Sequence, residues 1–346
     1  MKKILFCCFL VFSQVFLFAN ESISLNNQKK IIDSEGYEVF LPKDVKAIAD
    51  LWHANNQIVL VLGGADKLVV TTKMIQDNPW FSKFFPEIKN ITAAAQSDGI
   101  QFEELVAAKP DVVITSSSKY AEQLRRFGLN VVNIMFRNYA DMKTTIKITG
   151  EIIGEEGSKR ADDFIKYFDT NIEKVTNITK NIKDEDKPRV MHISSSINLL
   201  KVDGGNSIID EWITLAGGKN AVKLEGNMRE ITAEELLLAN PDIIIVGSRN
   251  NEEGIKRIYA DPIFSSLNAV KNKKVFGNPS GVFNWDRYSS EQALQILWAA
   301  KTIQPKLFNH IDIKEETKEF YKRWLDYDLS DDEFGYMLKG LSPDGK

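Results

Sequence analysis

The sequence predicts an α/β fold of two lobes with parallel sheets, joined by one long α-helix. Two observations predict it: a twelve-residue pattern that occurs twice, and a long amphipathic segment between the two copies. A chain of 346 residues is long enough for two ordinary domains, each with its own core. Its 43% hydrophobic and 27% charged residues are typical of a soluble globular protein.

The repeated pattern lies at residues 103–114 and 234–245, which are offset by 131 positions. Each copy predicts a short helix with an apolar stripe, a Pro-Asp turn and a β-branched run suited to a buried parallel strand. Small polar residues follow each strand, at 116–118 and 247–248. Open α/β sheets bind ligands at loops on the carboxyl ends of parallel strands, so these loops are candidate site segments.

Each half of the chain also opens with a predicted strand, at 47–51 and 189–193. Between the halves, the segment 158–181 has apolar residues every three or four positions: Phe164, Phe168, Ile172, Val175 and Ile178. This spacing predicts an amphipathic helix of about 36 Å, long enough to run along both lobes. We therefore divide the mature chain into three parts, which are an N-terminal lobe (20–140), an interlobe helical backbone (141–187) and a C-terminal lobe (188–346).

The first residues predict a signal peptide at 1–19. Lys2 and Lys3 precede an apolar run at 4–18, and Ala19 is a small residue at the expected cleavage point. The alternative is a membrane anchor, but a spanning helix needs about 20 apolar residues and this run is shorter. We expect export, cleavage near Ala19 and a mature protein in the periplasm.

Both cysteines, Cys7 and Cys8, lie in the segment to be removed, so the mature protein is expected to hold no disulfide and no cysteine metal ligand. Cys7 also comes too early for lipid attachment, which favours a free periplasmic protein over a lipoprotein. Loss of Lys2 and Lys3 changes the formal net charge from −4 to −6. No basic tract stands out from the mixed charges, so we expect no nucleic-acid partner.

Further landmarks follow in order: residues 62–69, the two Pro-Asp repeats, residues 216–220, residues 267–276 and a terminal helix from Glu291. In this order they resemble the helical-backbone (class III) family of periplasmic binding proteins of ABC importers, which includes ferric-siderophore, haem and cobalamin binders. The resemblance covers nearly all of the mature chain. It implies two Rossmann-like lobes with a ligand cleft between them.

The resemblance implies capture and delivery without covalent chemistry. The ligand would be a small-molecule chelate of a transition metal, iron first, with nickel or cobalt as alternatives, and the protein would have no intrinsic cofactor. A ferric siderophore leads, followed by haem, a nickel chelate and cobalamin. The partners would be an inner-membrane ABC permease and its ATPase, and the binding protein would be a monomer.

One glutamate on each lobe docks onto permease arginines in this family, and the matching positions here are Glu103 and Glu234. Both open a repeat, so two carboxylates at matched places would offer the permease a fixed spacing. The alternative is that both are solvated acids, favoured by the helix dipole at a helix start. The family's usual first-helix glutamate is absent and is replaced by residues 55–57.

Loops expected to face the cleft supply the predicted ligand contacts. Arginine can hold a carboxylate or catecholate oxygen with two hydrogen bonds, and aromatic faces can cover a planar chelator. The alternative for each arginine is an ordinary surface ion pair. The predicted contacts are Trp52, His53, Lys73, Asp98 and Arg137 in the N-terminal lobe and Met228, Arg229, Arg249, Trp285 and Arg287 in the C-terminal lobe.

The three histidines are the residues to consider as candidate metal ligands. His53 follows the first strand and could complete the coordination of a chelated iron or nickel, and its alternative is a hydrogen-bonding loop residue. His192 lies in a predicted strand and is expected to be packed in the core, whereas His310 is expected to be incidental. So few and scattered histidines do not favour a bare zinc or manganese site.

Two other classes of function stay open at this point. An enzyme on a similar fold is disfavoured because the sequence has no Gly-x-Gly-x-x-Gly loop, no P-loop, no nucleophile elbow and no mature cysteine for a cluster. The serines at 194–196 near His192 suit a binding loop as well as a nucleophile. A sensor or adhesin on this fold would not need Glu103 and Glu234, whereas an importer component would.

Overall fold

The structure is a computed structural model that describes residues 27–247 and 249–346. The predicted signal peptide lies outside these residues. The described chain begins with a hairpin, in which β1 (Gln28–Ile32) pairs antiparallel with β2 (Glu38–Pro42).

The N-terminal lobe is a six-stranded sheet covered by short helices. Its elements are β3 (Ile48–Asp50), α1 (His53–Val61), β4 (Leu68–Thr72), α2 (Lys73–Gln76), α3 (Pro79–Phe84), β5 (Thr92–Gln96), β6 (Gly99–Ile100), α4 (Phe102–Ala107), β7 (Val112–Thr115), α5 (Ser118–Arg126) and β8 (Val131–Asn133). The strand order is β6-β5-β4-β3-β7-β8, and every neighbouring pair is parallel except β5 and β6. Only residues 97–98 connect that pair, and so short a connection permits only an antiparallel arrangement.

Two helices follow the first lobe, α6 (Tyr139–Ile153) and α7 (Glu155–Thr179), and they pack against each other. The 25-residue α7 is the predicted long helix, with both ends two or three residues earlier than the sequence indicated. All five of its predicted apolar residues lie in the core or pack against it. Gly154 separates the two helices at a φ of 125°, a conformation that glycine adopts without a steric penalty.

The C-terminal lobe is a second six-stranded sheet with its own helices. Its elements are β9 (Arg189–Ile193), β10 (Lys201–Asp203), α8 (Ile208–Leu215), β11 (Lys219–Asn220), β12 (Arg229–Glu230), α9 (Ala233–Ala239), β13 (Ile243–Val246), α10 (Asn251–Ala260), α11 (Asn268–Lys271), β14 (Val275–Gly277), α12 (Gln292–Ile303), α13 (Ile313–Leu325) and α14 (Asp331–Leu338). The strand order is β12-β10-β9-β13-β14, with β11 also paired to β9.

The prediction of a parallel sheet needs one correction in this lobe. Strands β9, β11, β13 and β14 are parallel, but β10 and β12 run antiparallel to their neighbours. The connection from β9 to β10 spans only residues 194–200, which is too short for the crossover that a parallel pair requires. The chain therefore turns back along β9 and places β10 directly beside it.

The repeated pattern folds as predicted, into α4 and β7 in one lobe and α9 and β13 in the other. Lys109 and Asn240, which precede the two prolines, both have left-handed backbones, with φ of 48° and 33°. Asp111 then accepts a hydrogen bond at 3.0 Å from the backbone N–H just before β3, and Asp242 accepts one at 2.9 Å from the N–H of Arg189. Each Pro-Asp turn thus fixes the start of its lobe's first strand.

The lobes share one packed core along α7. This core includes Trp52 from the N-terminal lobe, Phe168 from α7 and Trp212 from the C-terminal lobe. The last segment of the chain, which the sequence placed in the C-terminal lobe, also reaches the first lobe. Helix α13 contacts α1, and Trp80 donates its indole N–H to the carbonyl oxygen of Leu341 at 2.8 Å.

Candidate ligand cleft

Three aromatic rings from both lobes contact one another where the lobes meet, and we take them as the floor of the candidate cleft. Trp52 and Phe136 belong to the N-terminal lobe, and their ring centroids are 5.2 Å apart. Tyr288 of the C-terminal lobe lies 6.0 Å from Trp52 and 5.5 Å from Phe136. Tyr288 has a φ of 24°, a strained backbone that the surrounding packing must hold. Trp52 is only 4% exposed, so this predicted contact lies in the floor and not on an open wall.

Gln57 on α1 joins the two lobes by hydrogen bonds beside this floor. Its side chain is fully buried, and its Oε1 accepts hydrogen bonds from the hydroxyl of Ser289 at 3.2 Å and the backbone N–H of Ser290 at 3.2 Å. Its Nε2 donates to the carbonyl oxygen of Tyr288 at 3.4 Å. An uncharged amide suits this position because it both donates and accepts. Sequence reasoning registered residues 55–57 only as the loss of a glutamate and missed this role.

His53 is the predicted site residue that meets the opposite lobe most directly. Its ring centroid lies 5.1 Å from that of Phe283, with the planes inclined by 30°. The imidazole is half-buried, and burial lowers its pKa to about 4. His53 is therefore neutral at physiological pH and keeps a lone pair that can accept a hydrogen bond or bind a metal. Metal ligation by His53 stays a prediction.

Glu291 orders the loop that carries Phe283. It is fully buried and accepts hydrogen bonds from the backbone N–H groups of Val282 at 2.8 Å and Phe283 at 3.0 Å, and from the hydroxyl of Ser289 at 2.9 Å. Burial raises the pKa of this carboxyl, and the hydrogen bonds oppose that effect. The exposed Arg249 lies close enough for the Glu291 charge to act on its pKa, which partial desolvation lowers. Glu291 thus binds the loop of Phe283 and also acts electrostatically on Arg249.

Five further predicted contacts are exposed, although the structure does not gather them around His53. Lys73 forms an ion pair at 2.5 Å with Asp77, the residue that follows its helix, and Asp98 lies in the turn between β5 and β6. Arg137 lines a separate small pocket of about 160 Å³ with Asp210 and Glu211 among others. Arg229 lies exposed in strand β12, next to the partly exposed Met228.

Trp285 and Arg287 require corrections. Trp285 is fully buried, so its ring packs in the core and does not border the cleft. Arg287 is only 5% exposed, and its guanidinium is already paired with two aspartates. Both lie in a loop that was expected to face the cleft, but the position of a loop does not indicate the direction in which each of its side chains points.

The partners of Arg287 form a buried charge network under the C-terminal wall of the cleft. His192 lies opposite Asp203 in the β9–β10 ladder, and its Nδ1 is 2.7 Å from Asp203 Oδ2. Its Nε2 is 2.9 Å from Asp286 Oδ2, close but poorly aligned for a hydrogen bond. Arg287 donates from Nη2 to Asp203 at 3.0 Å and from Nε to Asp286 at 3.3 Å. Asp203 Oδ1 also accepts the backbone N–H of Met228 at 2.8 Å.

Opposite charges stabilise each other in this network against the effect of burial. Burial alone would lower the pKa of His192, but its hydrogen bond and charge contacts with the two aspartates raise it above the ordinary value. Burial would likewise raise the pKa of Asp203, but His192 and Arg287 hold it at about 2. The pKa of Asp286 is lowered for the same reason, with Arg287 as the main source. The prediction that His192 is a packed residue is confirmed, and the network around it was missed.

Two glycines after Asp203 let the Met228 loop approach the network. A Cβ on Gly204 would lie 1.8 Å from the carbonyl oxygen of Leu224, so no other residue fits there without a shift of backbone. Gly205 donates its N–H to that same oxygen at 2.8 Å. The Gly-Gly pair was the signal in the sequence that could have indicated a close approach here. Met228 itself has a φ of 53°, a strained conformation held by its hydrogen bond to Asp203.

Asp50 gives the N-terminal side of the cleft a pH-dependent stability. It is fully buried at the end of β3, and burial raises its pKa to about 8, against hydrogen bonds from Trp52 and Asn55. The folded protein therefore keeps this proton up to about pH 8, whereas the unfolded chain loses it near pH 4. Unfolding releases a proton between these values, so the free energy of unfolding falls as the pH rises from about 4 to 8.

We expect Asp50→Asn to remove this contribution, because an amide does not titrate and can accept the same hydrogen bond from Trp52. In urea unfolding at pH 5 and pH 8, the free energy of unfolding of the variant should rise relative to that of the wild type by up to about 1.4 kcal/mol per pH unit. Asp98→Asn, at an exposed position, is the matched control and should leave the pH profile unchanged. Parallel profiles for Asp50→Asn and the wild type would contradict the prediction.

The fold and the cleft agree with a known family. The model of the periplasmic binding protein family matches residues 48–281, which is more than half of the chain. The chain belongs to this family. The predicted resemblance is thereby confirmed, and the family consists of binding proteins, which agrees with the prediction that the protein is not an enzyme. In the part of the chain that the structure describes, no helix is long and apolar enough to cross a membrane.

Curated relatives are distant but cover most of the chain. The uncharacterized ABC transporter substrate-binding lipoprotein YvrC of Bacillus subtilis is 24% identical over 71% of this chain and 76% of its own. The molybdate-binding protein MolA of Haemophilus influenzae is 22% identical over 94% of this chain and 96% of its own. The Fe(3+) dicitrate-binding periplasmic protein FecB of Escherichia coli is 24% identical over 73% of this chain and 84% of its own.

Solved structures of other periplasmic binding proteins share the fold over most of their length. A periplasmic solute binding protein from Veillonella parvula aligns with a TM-score of 0.77 and 26% identity, covering 92% of this chain and 99% of that one. Haemophilus influenzae MolA bound to molybdate aligns with a TM-score of 0.76 and 20% identity, covering 87% and 99%. Two lobes joined by a helical backbone are therefore the architecture of this binding protein, as the sequence predicted.

Proposed function

We propose that this periplasmic binding protein is the substrate-binding component of an ABC importer and captures a compact anionic complex of a transition metal. The observation that carries the proposal is the contact of His53 with Phe283 across the cleft, on a loop held by Glu291, whose charge also acts on the exposed Arg249. A neutral imidazole offers a metal one nitrogen ligand, and a guanidinium offers two hydrogen bonds to an anionic oxygen. A metal complex with anionic oxygen ligands matches both groups.

The narrowness of the cleft favours a compact ligand. The rings of His53 and Phe283 are in contact, and Gln57 ties the lobes together beside the aromatic floor. A planar macrocycle such as haem or cobalamin would need these groups to separate. An oxyanion or a ferric carboxylate complex needs only a small opening.

The names of two relatives support an anionic metal species. MolA is a molybdate-binding protein and FecB binds Fe(3+) dicitrate, and both ligands combine a metal with anionic oxygen. The ferric siderophore that leads among the sequence-based predictions belongs to the same chemical class when its oxygens carry the charge. The proposal therefore covers this class, and the experiment separates its members.

The test is a titration of the ligand-free protein in which the melting temperature is measured at each ligand concentration. The ligands are molybdate, ferric citrate, a ferric tris-catecholate, nickel-histidine, haem and cobalamin. An anion at a hundred times its Kd should stabilise the protein by about 2.7 kcal/mol. Arg249→Gln should reduce the shift, and Lys306→Gln, at another exposed position, should not. The proposal is wrong if none of the three anions shifts the melting temperature, and binding of haem or cobalamin alone would also contradict it.

We propose further that the protein docks onto its permease through Glu103 and Glu234. Both carboxylates are exposed at the second position of their helices, α4 and α9. Three residues later each helix exposes an apolar side chain, Val106 at 43% and Leu237 at 46%. The two helices thus present the same pair of groups at matched positions of the two lobes, which suits a partner that offers the same surface twice.

The double variant Glu103→Gln/Glu234→Gln should lower metal uptake by cells by about tenfold or more, since rim charges set encounter and orientation. The melting shift with the bound anion should stay unchanged, because neither residue lies in the cleft. Glu87→Gln/Glu225→Gln, at exposed positions away from α4 and α9, is the matched control. Unaltered uptake in the docking variant would favour a sensor or adhesin over an importer component.

A further inference from the structure

We infer that His192 is an imidazolium that bridges Asp203 and Asp286 and acts as the positioning residue for the C-terminal wall of the cleft. The inference deepens the proposed function, on which it rests for the role of that wall. The inference is argued from the buried charge network, which includes none of the three aromatic rings of the cleft floor.

Two carboxylate oxygens close to the ring favour a proton on both nitrogens of His192, with a hydrogen bond at Nδ1 and a charge contact at Nε2. Nδ1 and Nε2 each face a carboxylate oxygen, at 2.7 Å and 2.9 Å. A neutral imidazole has only one N–H, so its other nitrogen would direct a lone pair at Asp203 or Asp286. Two carboxylates, the imidazolium and Arg287 together make a neutral cluster, whereas loss of the proton would leave one uncompensated negative charge in the core.

Among the described residues, the charged groups that act on His192 all belong to this network. Asp203 comes from β10, and Asp286 and Arg287 come from the segment before α12. Trp212 on α8 packs edge-on to the ring, Ile245 of β13 pairs with His192 in the sheet, and the backbone of Gly247 lies close to the ring; none of these groups titrates. The pKa of His192, raised by its two carboxylates, agrees with this arrangement.

The network holds two segments of the cleft wall in place. Asp203 accepts the N–H of Met228 at 2.8 Å and so fixes the left-handed turn at that residue. Arg287 is held by the same carboxylate, directly before Tyr288 of the aromatic floor. Asn227 donates to the hydroxyl of Tyr288 at 3.0 Å, which connects the two segments. Without its proton, His192 would repel one aspartate and release both segments together.

The first test measures the protonation of His192 directly. The chain has three histidines, so long-range ¹H–¹⁵N spectra of the ¹⁵N-labelled protein can be assigned with His53→Gln and His310→Gln variants. We expect both ring nitrogens of His192 to be protonated at pH 7.5, whereas His53 should be neutral. A neutral tautomer of His192 at pH 7.5 would overturn the inference, and this measurement needs no variant of His192 that must fold.

The second test measures positioning. Hydrogen exchange at the Met228 amide should be roughly tenfold faster in His192→Gln, since the Asp203 acceptor moves. In His192→Gln/Asp286→Asn, which restores a neutral cluster, exchange should return towards the wild-type rate. His310→Gln is the control and should not change it. Equal Met228 exchange in the wild type and His192→Gln would show that His192 does not position this wall.

Neither readout involves a ligand, so the two proposals fail separately. A protein with a protonated His192 that binds none of the anions refutes the proposed function alone. A protein that binds ferric citrate or molybdate with a neutral His192 refutes this inference alone. If both hold, affinity for the anion should fall at least tenfold as the pH rises through the point where His192 loses its proton, and His192→Gln/Asp286→Asn should lack this pH dependence.

Discussion

Gly247→Ala should be among the most damaging single substitutions in the C-terminal lobe. A Cβ at this position would lie 2.0 Å from Asp286 Oδ2 and 2.2 Å from two ring atoms of His192. Neither side chain can move away freely, because each is tied to Asp203 or Arg287 within a packed interior. We expect a loss of about 3 kcal/mol in the free energy of unfolding, at the upper end of overpacking effects, together with loss of ligand binding.

Gly335→Ala provides the matched control for this substitution. Gly335 lies inside α14 with no atom within 4 Å of the place a Cβ would take. Alanine there should raise the free energy of unfolding by about 0.5–1 kcal/mol through helix propensity. The comparison uses urea unfolding and the melting shift with the anion. Similar small effects of both substitutions would mean that the space above His192 and Asp286 is not as tightly filled as the structure shows.

Arg287→Met should destabilise the protein by about 3–5 kcal/mol, because it removes one partner from a buried set of charges. Methionine keeps most of the side-chain volume, so the loss reflects charge more than packing. Asp203 and Asp286 would then share a single cation, His192, in the interior. Since Arg287 is only 5% exposed, we expect the substitution to change the free energy of unfolding more than the affinity for the ligand.

Arg249→Met separates the two kinds of arginine in the cleft. Arg249 is exposed, so its loss should change the free energy of unfolding by less than about 0.5 kcal/mol while lowering the affinity for the anion.

The double variant Arg287→Met/Asp286→Asn restores a neutral network and should recover part of the stability lost in Arg287→Met. An Arg287→Met protein as stable as the wild type would show that Arg287 is not required in the network and would reopen its role as a ligand contact.

The sequence predicted those features that depend on local chemistry. The apolar spacing along α7 determines a helix whatever it packs against, and the Pro-Asp turns place a helix end and a strand start within a few residues. Both lobes could therefore be located from the offset of 131 residues between their repeats. The antiparallel strands β10 and β12 were missed because short strands with few apolar residues carry little periodicity.

The candidate site was predicted less well because its members meet only through long-range pairing. Asp203 opposes His192 because of the register of β10 on β9, which no local pattern reveals. Asp286 and Arg287 are adjacent in the sequence and give the appearance of a cleft motif, whereas burial turns both towards His192. Trp285 was predicted as a contact because its loop was expected to face the cleft, and only the packing of the loop shows that Phe283 takes the place facing His53.

The contact of Trp80 with Leu341 has a consequence for the order of assembly. Leu341 is synthesised long after Trp80, and Lys83 on the same helix pairs with Glu333 at 2.5 Å. Contacts between such distant parts of a chain form slowly, because the whole intervening segment must be ordered first. Helix α3 therefore stays uncovered until residues 333–341 have been synthesised and have folded onto it.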